Sequence, residues 1–418
     1  MLDLVLKNAQ LPFQKNQVNI GIKDGTILSI SQEELTGKKE IDLEGDLLLP
    51  PLVEMHTHFD TVLTAGDPIF NQLGTLGEAI NIWSLRKQTL TKEDVKNRAS
   101  RALRMLMEYG VLYVRGAVDV SDPDLTALHA IVDLKKEFQS FLDLQIIAFP
   151  QDGIISCPEN QSRLEKAVLL GADAVSAVPH LENTREEGIQ SLEFAFNLAK
   201  KYGKEVHVFC DEVDDEHSRF LEVVANLTLK NEMQGKVTAS HANALLYYSD
   251  SYANKVMSLV QRAHVNIVCC PLVNTTMQGR LDSHPKGRGI TRIKELSDLG
   301  VNVCIAHDDI QTTFYPFGNG NILQAAHMAL HLAHMTGLEE IKEIVNMITY
   351  NGAKAYSIKD QYGTVEGKKA NLVCFPVKDV QELFYKQPKC RYVFKNGELL
   401  LETLPERTSW KSLIGIEK

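Results

Sequence analysis

The run Val53-Glu54-Met55-His56-Thr57-His58 sets two imidazoles two residues apart, just after the apolar stretch Leu47 to Val53. Side chains two apart on a strand point the same way. A pair of imidazoles on one face is half of a site for a borderline metal ion. Alone, the pair also fits two polar residues in a turn. Groups of similar character recur along the chain: Gln151-Asp152 after Phe149-Pro150, Asp211-Glu212 after Phe209-Cys210, His241 after Ser240, and His307-Asp308-Asp309. A bound metal ion lowers the pKa of water to roughly 7, so metal-assisted hydrolysis suits this set. His56, His58 and Asp308 could hold the ion. Glu212 and His241 could move protons and orient the attacking water. The competing readings are a solvated loop or a helix cap for Asp308 and Asp309, and a hydrogen-bonded core histidine for His241. His129, His180, His217, His264, His284 and His327 read as structural or exposed. Met328, His331 and His334 sit at helical spacing and read as a packed helix face.

These residues share a place in the pattern of elements. Candidate strands are Leu47–Val53, Val111–Val114, Leu144–Ala148, Ala174–Ala177, Glu205–Phe209, Val237–Ser240, Asn266–Cys270 and Val301–Ile305. Helical patterns fill most gaps, among them Lys92–Tyr109, Asp124–Phe138, Ser162–Leu170, Thr184–Lys201 and Asp215–Asn231. Alternating strand and helix argues for a parallel sheet. Eight such units over roughly 300 residues predict an α/β fold of the (β/α)8 TIM barrel type, with a doubly wound sheet as the alternative. In a barrel the strand C-termini build the active site, and the candidate residues lie at those ends.

Both ends of the chain have a different texture. Asp3–Asn8, Val18–Ile22 and Thr26–Ile30 read as short strands, the last two joined by a turn at Lys23-Asp24-Gly25. Ala370–Pro376, Arg391–Lys395 and Glu398–Leu401 read likewise, with a turn at Asn396-Gly397. A small β-sandwich domain formed by both termini, residues 1–48 plus 360–418, is expected around a barrel domain of residues 49–359.

Composition narrows the function classes. With 44% hydrophobic and 23% charged residues, the chain reads as globular. A formal net charge of -10 argues against binding nucleic-acid phosphates. No apolar stretch reaches membrane-span length, and the N-terminus does not read as a signal peptide. Seven cysteines without a paired framework read as reduced thiols in a cytoplasmic protein. Gly318-Asn319-Gly320 lacks the third glycine of a dinucleotide fingerprint, and no P-loop or nucleophile elbow is present. The HxE and PCxxC pairing of the small zinc deaminases is missing as well.

Longer segments carry a resemblance: HTHFDTVLTAG, FPQDG, CDEVDDEHSRF, TASHANAL, PLVNTTMQGR, KGRGITRIKEL and AHDDIQTTFYPFGNGNILQ. Together they resemble the amidohydrolase superfamily, and within it the bacterial cytosine deaminase family, over nearly the whole chain. The resemblance implies a barrel with a terminal β-sandwich and one divalent metal ion, iron or zinc. It implies hydrolysis of the exocyclic amine of a small nucleobase-like substrate to a carbonyl, with release of ammonia. His56, His58 and Asp308 are then expected as metal ligands and Glu212 as the proton shuttle to the ring nitrogen. His241 is expected to orient the attacking water, with Asp308 taking its proton. Gln151 would read the amide edge of the ring beside the backbone near Leu76, Asp309 would bond a ring or exocyclic nitrogen, and Phe314 would stack where cytosine deaminases carry tryptophan. Relatives form homo-oligomers, and the same is expected here.

The chain departs from that pattern at Phe209, where the family has a metal-ligating histidine immediately before Cys-Asp-Glu. His207 is the tentative replacement, about 6.6 Å further down the strand; Cys210 is another, reached through a bulge. Relatives also carry Thr-His where this chain has Gly116-Ala117. Two alternatives stand beside the deaminase: opening of a cyclic amide on the same scaffold, and a metal-poor binding protein. Product structure separates the first, and metal content the second.

Overall fold

The computed structural model describes residues 1–404, which fall into two units. One comprises Pro50–Gly363 with Phe384–Gln387; the other comprises Met1–Leu49, Thr364–Leu383 and the chain from Pro388. Residues 405–418 of the expected terminal domain lie outside the described residues.

The larger unit is built on eight strands: Leu52–His58, Val111–Asp119, Asp143–Phe149, Ala174–Val175, Glu205–Phe209, Val237–Ser240, Asn266–Cys269 and Val303–Ile305. Each pairs in parallel with the next in chain order, and helices lie between them. A doubly wound sheet reverses its strand order, so the sequential order is that of a (β/α)8 barrel. Strands covered on both sides need not alternate, and all nine residues of Val111–Asp119 are buried. Among the described residues, the ladders run from the first strand to the eighth without joining those two. A side chain spans that seam: the buried Glu54 carboxyl accepts the backbone N–H of His56 at 3.1 Å and of His307 at 2.8 Å.

Three expectations are corrected. The first barrel strand is Leu52–His58, not Leu47–Val53. Pro50 and Pro51 have no N–H to donate, and Leu47–Leu49 pairs instead with Leu372–Phe375 in the other unit. The helix expected from Asp215 begins only at Leu221. The Asp211 carboxylate accepts the N–H groups of Phe220 and Leu221, each at 3.2 Å, and the Ser218 hydroxyl at 2.8 Å, which holds 215–220 as a loop. Met328, His331 and His334 do not form a packed face. Helix Ile322–Leu332 buries Ala325, Ala326, Ala329 and Leu330, while His331 and His334 are exposed.

The smaller unit is a pair of four-stranded sheets over a shared apolar core. The first orders Thr26–Ser31, Val18–Lys23, Leu2–Ala9 and Gly37–Asp42; the second orders Glu398–Glu402, Tyr392–Lys395, Leu372–Phe375 and Leu47–Leu49. The expected turns are in place. Asp24 and Gly25 hold φ of 49° and 71°, and Asn396 and Gly397 hold 51° and 77°, the left-handed pair that two-residue hairpins require. No helix among the described residues is long and apolar enough to cross a membrane.

Candidate active site

A cavity of about 490 Å³, its mouth included, opens at the C-terminal ends of the barrel strands. Its wall includes His58, Leu76, Gln151, Glu212, His241, Asp308, Asp309 and Phe314. His56 and His207 lie beneath this floor, both fully buried. Strand alternation explains the arrangement: His56 and His58 project from the end of the first strand, while Thr57 points away and donates to the Asp308 carbonyl at 2.7 Å. That bond anchors Asp308 where the backbone turns sharply, at φ 71°. His241 turns in the same way at φ 72° as it leaves the sixth strand. Non-glycine residues held there are uncommon, and such strain concentrates at functional sites.

The ligand-bearing atoms converge. His56 Nε2 lies 3.5 Å and His58 Nε2 4.0 Å from Asp308 Oδ1. Ligating atoms of His56, His241, Cys270 and Asp308 all fall within 4.8 Å of one another, and all four residues are buried. His56 Nε2, His241 Nε2 and Asp308 Oδ1 have no hydrogen-bond partner. Buried polar atoms are costly to leave unpaired, and the His56 and His58 Nε2 atoms on either side of Asp308 Oδ1 fit a divalent cation, with His241 Nε2 beside them. The other ring nitrogens are taken. His56 Nδ1 meets Ser240 Oγ at 2.8 Å, and that hydroxyl meets His207 Nε2 at 2.6 Å. One hydroxyl proton serves both contacts if His56 Nδ1–H donates to Ser240 and Ser240 donates to His207. We assign these tautomers because they leave the His56 Nε2 lone pair bare. His241 Nδ1 is held by the Asn274 side-chain amide at 3.2 Å, which aims Nε2 at the cavity, 3.6 Å from Glu212 Oε2.

His207 therefore stands outside the converging group, with Nε2 spent on Ser240. Phe209 occupies the layer above. Its ring centroid is 4.6 Å from that of His56, 5.3 Å from that of His58 and 4.2 Å from that of Phe149. Phe209 packs with Ala117, Ile147, Phe149, Ala174 and Val178. Two of the departures from the family pattern, Phe209 and Ala117, thus belong to one apolar cluster. The neighbouring Gly116 has its own steric reason: a Cβ there would stand 2.3 Å from the Phe59 ring.

Burial sets the charge states. It pushes His58 down to about 4 and His241 to about 3, and holds His56 well below the usual imidazole range. All three are neutral at pH 7. His56 and His58 offer an Nε2 lone pair, while His241, whose Nδ1 accepts the Asn274 amide N–H, carries its proton on Nε2. Burial, assisted by the charge of Asp309, pushes Glu212 up to about 8. Burial and the neighbouring Asp309 and Glu212 also raise Asp308. Such a crowd of acids favours a cation in its midst, which would reverse the last shift.

Sequence reasoning missed Cys270, Asn274, Ser240 and Glu54. Asn274 lies inside the matched segment PLVNTTMQGR, and Cys270 directly precedes it; neither type at that place announces a contact with a distant histidine. His180, read as structural or exposed, lines the cavity.

The signature of the amidohydrolase family matches residues 71–401. A solved 5-methylcytosine deaminase from Klebsiella pneumoniae, liganded with 5-fluorocytosine, is 40% identical, with a TM-score of 0.94, over 97% of this chain and 99% of that one. The N-isopropylammelide isopropyl amidohydrolase of Pseudomonas sp. (strain ADP) is 29% identical over 96% of this chain and 97% of its own. A pterin deaminase of Rhizobium rhizogenes is 23% identical over 90% of this chain and 85% of its own.

Proposed function

The chain belongs to the amidohydrolase family, and from that premise we propose that it is a metal-dependent aminohydrolase of an amino-pyrimidine, exchanging the exocyclic amine for a carbonyl and releasing ammonia. One observation carries this reading. The cavity that holds the unpaired Asp308 Oδ1 over His56 Nε2 is the one lined by Gln151, Glu212, Asp309 and Phe314. Hydrolytic chemistry and recognition of a flat, polar-edged ring therefore share one chamber.

His56, His58 and Asp308 would hold the divalent cation, iron or zinc, which would supply Lewis-acid activation of water. Asp308 accepts the proton that the attacking water gives up. His241, its ring fixed through Asn274, orients that water from its Nε2 side. Glu212 keeps its proton at neutral pH and delivers it to the ring nitrogen beside the reacting carbon. That nitrogen gains hydrogen as the carbon gains oxygen; Asp308 then passes its proton to the amine, the C–N bond breaks and ammonia leaves, and the new hydroxyl returns a proton to Glu212 as the carbonyl forms. Asp309 bonds the amine side of the ring, and the Gln151 side chain reads the amide edge. Phe314 covers one face, and the backbone at Leu76 closes the edge near Gln151.

The lining also has an apolar part, with Phe149, Val178 and Phe209. A ring with one polar edge and one alkyl-bearing edge suits such a lining, so 5-methylcytosine is the first compound to test. Zinc- or iron-loaded protein would be assayed for ammonia release with 5-methylcytosine, cytosine and isocytosine, and the products weighed. The expected product keeps its ring and carries oxygen in place of the amine. Absence of turnover on every one of them, at full metal loading and high enzyme concentration, would refute the reading.

A further inference from the structure

We propose that Cys270 is a ligand of the divalent cation, through Sγ, and supplies the donor that Phe209 cannot. The inference rests on the metal-dependent reading above and deepens it.

Phe209 ends the fifth strand with its ring against both first-strand histidines, and a phenyl ring has no lone pair to give. Neither alternative on that strand replaces it. His207 Nε2 is committed to Ser240 at 2.6 Å, and Cys210 does not join the converging atoms. The seventh strand supplies what the fifth lacks. Asn266–Cys269 ends one residue before Cys270, so Cys270 lies at the same level of the barrel as the other candidates. Its side chain is 1% exposed, and Sγ lies within 4.8 Å of the ligating atoms of His56, His241 and Asp308. The second observation comes from the histidine: His56 Nε2 is buried and unpaired, 3.5 Å from Asp308 Oδ1, and the Cys270 thiol hydrogen-bonds that same carboxyl. Pro271 follows at once and begins helix Pro271–Met277. Its ring fixes the local backbone and carries the chain into the helix that brings Asn274 to His241.

Ligation needs no redox partner. A sulfur–metal bond forms, the S–H bond breaks, and the proton leaves to solvent. With Asp308, the thiolate brings two negative charges to a doubly charged ion, which neutral imidazoles alone do not. Soft sulfur also moves the preference of the site toward zinc among the metals the family uses.

The test is spectroscopic. Full-length protein is stripped and reloaded with cobalt(II), and the visible ligand-field bands report whether the metal is bound. A near-ultraviolet thiolate-to-cobalt charge-transfer band is expected in the parent and in Cys269→Ser, and is expected to be lost in Cys270→Ser. Cys270→Ser should also weaken zinc in chelator competition by at least about 100-fold, the upper end of what losing an outer-shell partner causes. X-ray absorption on the zinc-loaded parent needs no variant and should show one sulfur at about 2.3 Å. Cobalt bound with ligand-field bands but no charge-transfer band, or zinc with only nitrogen and oxygen neighbours, overturns the role of Cys270 and leaves the metal-dependent reading standing. Failure of the parent to bind cobalt or zinc overturns both.

Discussion

Glu212 shows how a single carboxyl acquires its task. In water it would be ionised at neutral pH; burial, with Asp309 nearby, pushes it up to about 8. In the proposed mechanism it therefore carries the proton delivered to the ring nitrogen. The protonated fraction, and with it kcat/KM, should fall about tenfold per pH unit above that value. Glu212→Gln should remove that limb of the profile and lower kcat by roughly 10²–10⁴-fold; a variant retaining the parental profile would take the proton-delivery role away from Glu212. Phe209 supports a second prediction. Phe209→His sets a polar ring among Phe149, Val178 and Ala117. We expect a stability loss of roughly 1–3 kcal/mol for an unpaired buried group and no rise in metal per chain. Elemental analysis beside a thermal melt checks both, and added metal would mean that the fifth-strand position still accepts a ligand. At this scale the sequence was partly legible. The HTH pair, Glu212, His241 and the Asp308-Asp309 pair stood out because their types at strand ends suggest chemistry. Cys270 and Ser240 did not. Their importance lies in distances to residues on other strands, and a cysteine after an apolar strand looks like core.

The elements carry a different lesson. Leu47 to Val53 is one unbroken apolar run, and buried strands show no period that would mark a boundary inside it. The boundary lies in the missing N–H groups of Pro50 and Pro51, which end one ladder before the next begins. The helix expected from Asp215 starts late because the Asp211 carboxylate gathers Ser218 and the N–H groups of Phe220 and Leu221, a contact no helical periodicity reveals. The loop after the eighth strand hangs on His307, whose Nε2 accepts the N–H groups of Asn319 at 3.3 Å and Gly320 at 3.2 Å. Burial pushes that imidazole down to about 4 from its ordinary 6.5. Between those values the unfolded chain binds a proton that the folded chain refuses. This contribution is complete above about pH 6.5 and is lost as the pH falls toward 4, at most roughly 3 kcal/mol. Urea midpoints at about pH 7 and pH 5 should differ more in the parent than in His307→Gln, which keeps an acceptor but does not titrate. Equal differences would locate the acid sensitivity elsewhere.

At the scale of the whole molecule, the count of strand–helix units and the two hairpin turns were readable from the residues. Both are local signals repeated often enough to survive single errors. The Glu54 bridge across the barrel seam was not readable, since Glu54 and His307 are 253 residues apart. The orphaned buried atoms make a prediction for the molecule entire. If His56, His58, Asp308 and Cys270 are the ligands, metal and fold are linked. At free zinc a hundred times its Kd, the metal should contribute about 2.7 kcal/mol to unfolding free energy. Calorimetry of stripped and reloaded protein checks this, and an unchanged unfolding temperature would disconnect the cluster from any ion.

His241 and Asp308 keep their backbones at φ 72° and 71°, a conformation that glycine holds at lower cost. Glycine there would remove the side chains to which we assign the handling of the attacking water. Selection for heat resistance alone would accordingly favour erasing both residues, and the enzyme would become sturdier as it fell silent.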